Sequence, residues 1–145
     1  MFLRSLATAV PPNSFTQETC WDAMRDGALL EKLKPRSASL VEKILTNGTS
    51  GIRTRNLALG SIDEIFGDCA QSLNQRFEKE AAPLAENSLT AALEKAGLRA
   101  DQLDALFVCT CTGYLCPGVS SHLAEQAGLR ADVYLADLVG LGCGA

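Results

Sequence analysis

The apolar positions of the chain change period several times, and each change predicts an element. From the amino end, "LRSLATAV" reads as a short strand, because Pro11, Pro12 and Asn13 stop any ladder after Val10. A helix is expected next over "QETCWDAMRDGALLEKL", capped by Thr16 or Thr19 and ending before Lys34-Pro35. Ser37 or Ser39 starts a second helix through "LVEKILTNG", with Gly48 as its stop. "SGIRTRNLAL" alternates in the manner of an exposed strand or extended arm, which puts Arg53 and Arg55 on one side. Helical segments fill "SIDEIFGDCAQSLNQRFEKEAAPLAENSLTAALEKAG". Pro83 is expected to begin the last of them, where Leu89, Ala92, Leu93 and Ala96 make one apolar face.

An internal echo organises the remainder. "AGLRAD" at 96–101 recurs at 127–132, each time after a helical pattern and before an apolar run, "LDALFVCT" and then "VYLADLV". A glycine just past a helix suits the left-handed C′ position. The two runs, joined by the helix "VSSHLAEQAG", form a βαβ unit with parallel strands. So short an echo is a helix-to-strand junction used twice, and too little for a repeat array.

Composition narrows the classes. At 145 residues, 47% hydrophobic and 21% charged, the chain is long enough for one domain and too apolar for disorder. A net charge of −4 argues against a general affinity for nucleic acid or anionic membrane. No apolar run approaches the roughly 20 residues of a spanning helix, and the apolar stretch in "MFLRSLATAVPPNSF" is short for a signal peptide. A cytoplasmic protein with reduced thiols is the expectation, and small molecules or protein surfaces are the expected partners.

Six cysteines remain to be placed: Cys20, Cys69, Cys109, Cys111, Cys116 and Cys143. Three of them fall within "CTCTGYLC", but no second CxxC-type pair completes a four-ligand zinc site and His122 is the single histidine, so no metal is expected. Cys20, Cys69 and Cys109 read as buried, inert thiols. Cys143 differs: an apolar strand runs without a polar linker into Gly142-Cys143-Gly144. Small flanking residues allow a sharp strand-to-helix turn and close approach of a carbonyl, and a helix starting there would lower the thiol pKa. The competing reading is a small residue packed at a glycine turn. His122, near the start of a predicted helix, reads better as a histidine without a catalytic role than as the base such a thiol requires.

The segment "DALFVCTCTGYLCPGVSSHLAEQAGLRADVYLADLVGLGCGA" resembles the nucleophile region of the type III polyketide synthases, the chalcone synthase-like enzymes, above all their bacterial members. "ATAVPPN" and "SGIRTRNLAL" extend the likeness over essentially the whole chain. Its strongest element is C-T-x-[ST]-G-x-x-x-P-G followed by a G-C-x-[AG] turn, thirty residues from Gly113 to Cys143. The resemblance implies an α/β, thiolase-like fold of αβαβα layers. It makes Cys143 the residue acylated by an acyl-CoA starter, which then carries the chain through decarboxylative condensation with malonyl-CoA. Cys111 and Thr112 match the pair lining the pocket beside that thiol, and Cys116 a position that reaches across a homodimer into the neighbouring site. Arg53 and Arg55 fall where the family presents cations to the coenzyme A phosphates, and Gly142 and Gly144 shape the nucleophile turn. No cofactor is implied beyond coenzyme A thioesters as substrates.

The resemblance also implies that residues 1–145 are the N-terminal half of such a fold, ending at the nucleophile turn. The family's histidine and asparagine lie in the second half, so the 145 residues alone are expected to be inactive. Two alternatives stay open: an initiating β-ketoacyl-carrier-protein synthase on the same fold, and a non-catalytic thiolase-like binding or assembly fragment. Cysteine at 111 and 116 departs from the plant pattern and leaves room for a long or unusual starter.

Overall fold

In the computed structural model, residues 2–48 and 50–140 are described. They fall into two units, one formed by Val10–Cys69 and the other by Met1–Ala9 with Ala70–Ala145.

In the first unit, strand β1 (Asn13–Thr16) leads directly into helix α1 (Gln17–Asp26). Thr16 is the N-cap: its hydroxyl accepts the Thr19 N–H at 3.0 Å, while Glu18 and Arg25 complement the two ends of the helix dipole. The expected continuation through "LLEKL" does not form. The helix stops at Gly27, Ala28 adopts φ 56°, and only a short 3₁₀ turn follows at Leu30–Lys32. Phe66 explains the break, since a Cβ on Gly27 would lie 2.3 Å from its ring. Helix α2 (Pro35–Thr46) begins earlier than Ser37 or Ser39 because Pro35, with φ already helical and no N–H to satisfy, takes the first position. Gly48, at φ 67°, follows its end.

Strand β2 (Thr54–Leu57) pairs antiparallel with β1, Phe15 opposite Arg55 and Thr16 opposite Thr54. The strand expected before Pro11 is therefore found after the prolines instead. Asn13 and Asn56 extend the ladder's ends, donating to the Leu59 and Pro11 carbonyls at 2.6 and 3.3 Å. Cys20 and Leu59 are the buried apolar residues here, beside the buried amide of Gln17.

In the second unit, helix α3 (Ala70–Ala96) runs through Pro83 without interruption. A proline inside a helix costs about 3 kcal/mol, so the start expected at Pro83 was the locally favoured one. Packing overrides it, with Ala82 buried next to the exposed proline ring. Leu89, Ala92, Leu93 and Ala96 are all half-buried, whereas Thr90, Glu94 and Lys95 are exposed, as the predicted face requires. The amino-terminal segment lies along this stretch, with the Ser5 hydroxyl donating to the Ala92 carbonyl at 2.7 Å and Lys95 to the Leu6 carbonyl at 3.2 Å.

Strand β3 (Ala105–Thr110), helix α4 (Val119–Gln126) and strand β4 (Tyr134–Val139) form the expected βαβ unit, parallel and in register from Ala105–Tyr134 to Thr110–Val139. The echoed glycines do the same work twice. Gly97 and Gly128 both take φ 64°, and the residue after each donates back across the helix end, Leu98 to Leu93 and Leu129 to Ala124. Val119, Ser120 and Leu123 are buried along α4. The opposite face of the two strands is open: Phe107 and Tyr134, each 61% exposed, pack on one another with centroids 5.8 Å apart. Among the described residues no helix is long and apolar enough to cross a membrane.

Candidate active site

The carboxyl ends of parallel strands are where the loops of an α/β unit converge on ligands. Here those ends are tied level, because the Gly140 N–H donates to the Thr110 carbonyl at 3.0 Å. Two segments leave from this edge, the 111–118 loop after β3 and the chain beyond Gly140. The first carries Cys111, Thr112 and Cys116, all exposed. The second leads within three residues to Cys143, which with Gly142 and Gly144 lies outside the described residues.

The loop is held at several points. The Thr110 hydroxyl donates to the Gly113 carbonyl at 3.2 Å. Gly113 rests on the Phe77 ring of α3 so closely that a Cβ would come within 2.2 Å of it. At the far end Gly118 is the N-cap of α4 and has no side chain to cap with. Asp137 of β4 does this instead: its Oδ1 accepts the Ser120 N–H at 3.1 Å and its Oδ2 accepts the Ser120 hydroxyl. Asp137, Ser120 and Phe77 belong to no motif that marks them in the sequence. A lone acid inside the apolar run "YLADLV" was the signal available for the first of them.

Of the thiols expected to be buried, Cys20 is, whereas Cys69 and Cys109 are exposed. Cys109 shares the outward face of β3 with Ala105 and Phe107, a consequence of the strand's period of two. Burial pushes the Cys20 thiol up, an effect partly offset by the Arg55 guanidinium. His122 is half-buried in the first turn of α4, its backbone N–H donating to the Gly118 carbonyl at 3.3 Å. Among the described residues no three His, Cys, Asp or Glu side chains gather as a metal site would need.

Arg53 and Arg55 belong to the other unit. Arg55 is half-buried and donates to the Gln17 amide oxygen at 2.9 Å, while the Gln17 backbone N–H donates to the Arg53 carbonyl at 3.1 Å. The Arg53 side chain is exposed on an open cleft of about 600 Å³ that Gln17, Trp21, Arg25 and Ile52 also line. Arg25 is already engaged with Asp22 and Asp26.

Comparison with known proteins gives this arrangement its context. No protein-family model matches the chain. It is 34% identical, over 94% of its length, to a 1,3,6,8-tetrahydroxynaphthalene synthase of Streptomyces peucetius subsp. caesius, and 30% identical over 97% to a 3,5-dihydroxyphenylacetyl-CoA synthase of Streptomyces toyocaensis. Its fold superposes on a fungal type III polyketide synthase with a TM-score of 0.75, covering 98% of this chain at 23% identity. Over nearly its whole length the chain is thus similar to part of type III polyketide synthases. It spans about a third of these relatives, 35% and 34% of the two bacterial enzymes and 37% of the fungal structure. The α/β architecture accordingly matches part of the fold of a type III polyketide synthase.

Proposed function

We propose that the chain is the N-terminal half of a type III polyketide synthase whose nucleophile is Cys143. The observation that carries the reading is the shared strand edge: the Thr110–Gly140 hydrogen bond holds the start of the Cys111–Gly118 loop level with Gly140, three residues before Cys143 in the sequence, in a chain similar to synthases of this family. The Cys143 thiolate attacks the carbonyl of an acyl-CoA starter, the acyl C–S bond to coenzyme A breaks, and the coenzyme leaves as its thiol once protonated. Malonyl-CoA then loses CO₂; the electron pair released forms a C–C bond to the acyl carbonyl carbon, and the Cys143 thiolate departs, leaving the extended chain on coenzyme A, from which the same thioester exchange returns it to Cys143 with release of the coenzyme thiol. Cys111 and Thr112 line the pocket at that thiol, and Cys116 faces the second subunit of a homodimer.

Arg53 meets the coenzyme A phosphates in this reading. Its support is an exposed guanidinium on a cleft, a geometry suited to charge-assisted bonds to phosphate. Arg55 donates to Gln17, which lines the same cleft, and adds positive charge. The open face of β3 and β4 supports the half-fold, since parallel sheets are ordinarily covered on both sides. The remainder of the enzyme, which would supply the histidine and asparagine, covers that face, and the 145 residues alone do not turn over.

The test is steady-state assay of the full-length gene product with acyl-CoA starters and malonyl-CoA. Polyketide release that falls to background in Cys143→Ala is expected. Turnover only with malonyl carrier protein would replace this reading with the carrier-protein synthase, and none with either extender would replace it with an assembly module.

A further inference from the structure

Asp137 has no part in the chemistry just described, yet it meets a residue that is almost fully buried. Ser120, 2% exposed, gives it both a backbone N–H, at 3.1 Å, and its hydroxyl. The fit around the carboxylate is close: a Cβ on Gly118 would lie 2.2 Å from Oδ2 and 2.6 Å from Cγ. The carboxylate thus takes the place of a capping side chain and puts negative charge at the positive end of α4. It does so from β4, opposite Val108 of β3 and three residues before Gly140.

We infer that Asp137 is a positioning residue that clamps the far end of the Cys111–Gly118 loop to the strand leading to Cys143. The near end is already fixed to the same strand pair through Thr110, which bonds both Gly113 and Gly140. With both ends held, the pocket side chains keep a set distance from the chain's exit at Gly140. Releasing one end lets the loop move without unfolding the strands. The positioning role rests on the proposal that Cys143 is the nucleophile; the clamp itself does not.

The experiment compares wild type, Asp137→Ala, Asp137→Asn and Ser120→Ala as full-length gene products. Hydrogen exchange decides the clamp: amides from Cys111 to His122 should exchange at least tenfold faster in Asp137→Ala, and less so in Ser120→Ala, with β3 and β4 unchanged. Unchanged protection of the loop would overturn it. Should the alanine variant fail to fold, Asp137→Asn, which keeps one acceptor for the Ser120 N–H, is read in the same way. The kcat/KM ratio between short and long acyl-CoA starters decides the positioning role. A shift of about tenfold supports it, whereas an equal loss for all starters marks a structural residue only and overturns it. If wild type forms no acyl adduct at Cys143, the catalytic reading fails, and with it the positioning role, while the exchange data still decide the clamp.

Discussion

Gly113→Ala tests the packing beneath the 111–118 loop. The new methyl would lie 2.2, 2.3 and 2.7 Å from three carbons of the Phe77 ring. Carbon atoms settle near 3.5–4.0 Å, so ring and loop must part by about 1.3 Å or more. Such overpacking costs about 1–3 kcal/mol. Phe77→Ala alone should also destabilise, by about 2 kcal/mol, less than a fully buried phenylalanine because Phe77 is half-buried. The double variant decides the matter. Without the ring the methyl has room, so the combined loss should fall short of the sum by at least about 1 kcal/mol, a coupling within the range for residues in contact. Urea denaturation of the four proteins, followed by circular dichroism at 222 nm, measures the cycle. Additive losses, or a neutral Gly113→Ala, would refute the claim that Phe77 packs the loop down.

Other expectations follow from the same geometry. Gly97→Ala and Gly128→Ala should cost nearly equal amounts, about 1 kcal/mol, because both glycines sit at φ 64° with nothing within 4 Å of a new Cβ; thermal melts should show partial rescue by asparagine at both, and unequal costs would break the equivalence of the two junctions. Arg53→Ala should raise KM for malonyl-CoA about tenfold with kcat little changed, the signature of lost phosphate binding, whereas Arg55→Ala should lower stability as well. Cys20 should alkylate with iodoacetamide more slowly than exposed Cys116 at pH 8, read by peptide mass spectrometry, because burial raises its pKa. Since the folded-state value is the higher one, the stability linked to Cys20 is fully present below its unfolded pKa, near 8.5, and is lost as pH rises toward the folded value.

Where local pattern and tertiary packing agree, the sequence was readable. The βαβ unit is the clearest case, because two identical junctions impose the same glycine geometry and the strands behind them have one apolar pattern each. Thr16 and Gly48 likewise mark helix ends through their own chemistry. The misreadings have tertiary causes. Nothing in "DGALLEKL" reveals that the Phe66 ring will occupy the space beside Gly27, and nothing around Pro83 shows that packing will carry a helix through it. The amino-terminal apolar run lacks a neighbouring strand among the described residues, and a strand without a partner does not form a ladder. Cys109 was assigned to the interior by residue type, when alternation along β3 sends it outward. Of the candidate site, the Cys111–Cys116 loop and Arg53 are candidates through their motifs, and the structure places their side chains at the surface. Asp137 was passed over because its role appears only once β4 lies beside the start of α4.

The central claim is that Cys143 carries the acyl chain. It is tested most directly by peptide mass spectrometry of the full-length gene product after incubation with acyl-CoA starters, with and without malonyl-CoA. An acyl adduct on the peptide containing Cys143, lengthening when malonyl-CoA is added, is the predicted result; a folded protein whose Cys143 stays unmodified by every starter would contradict it.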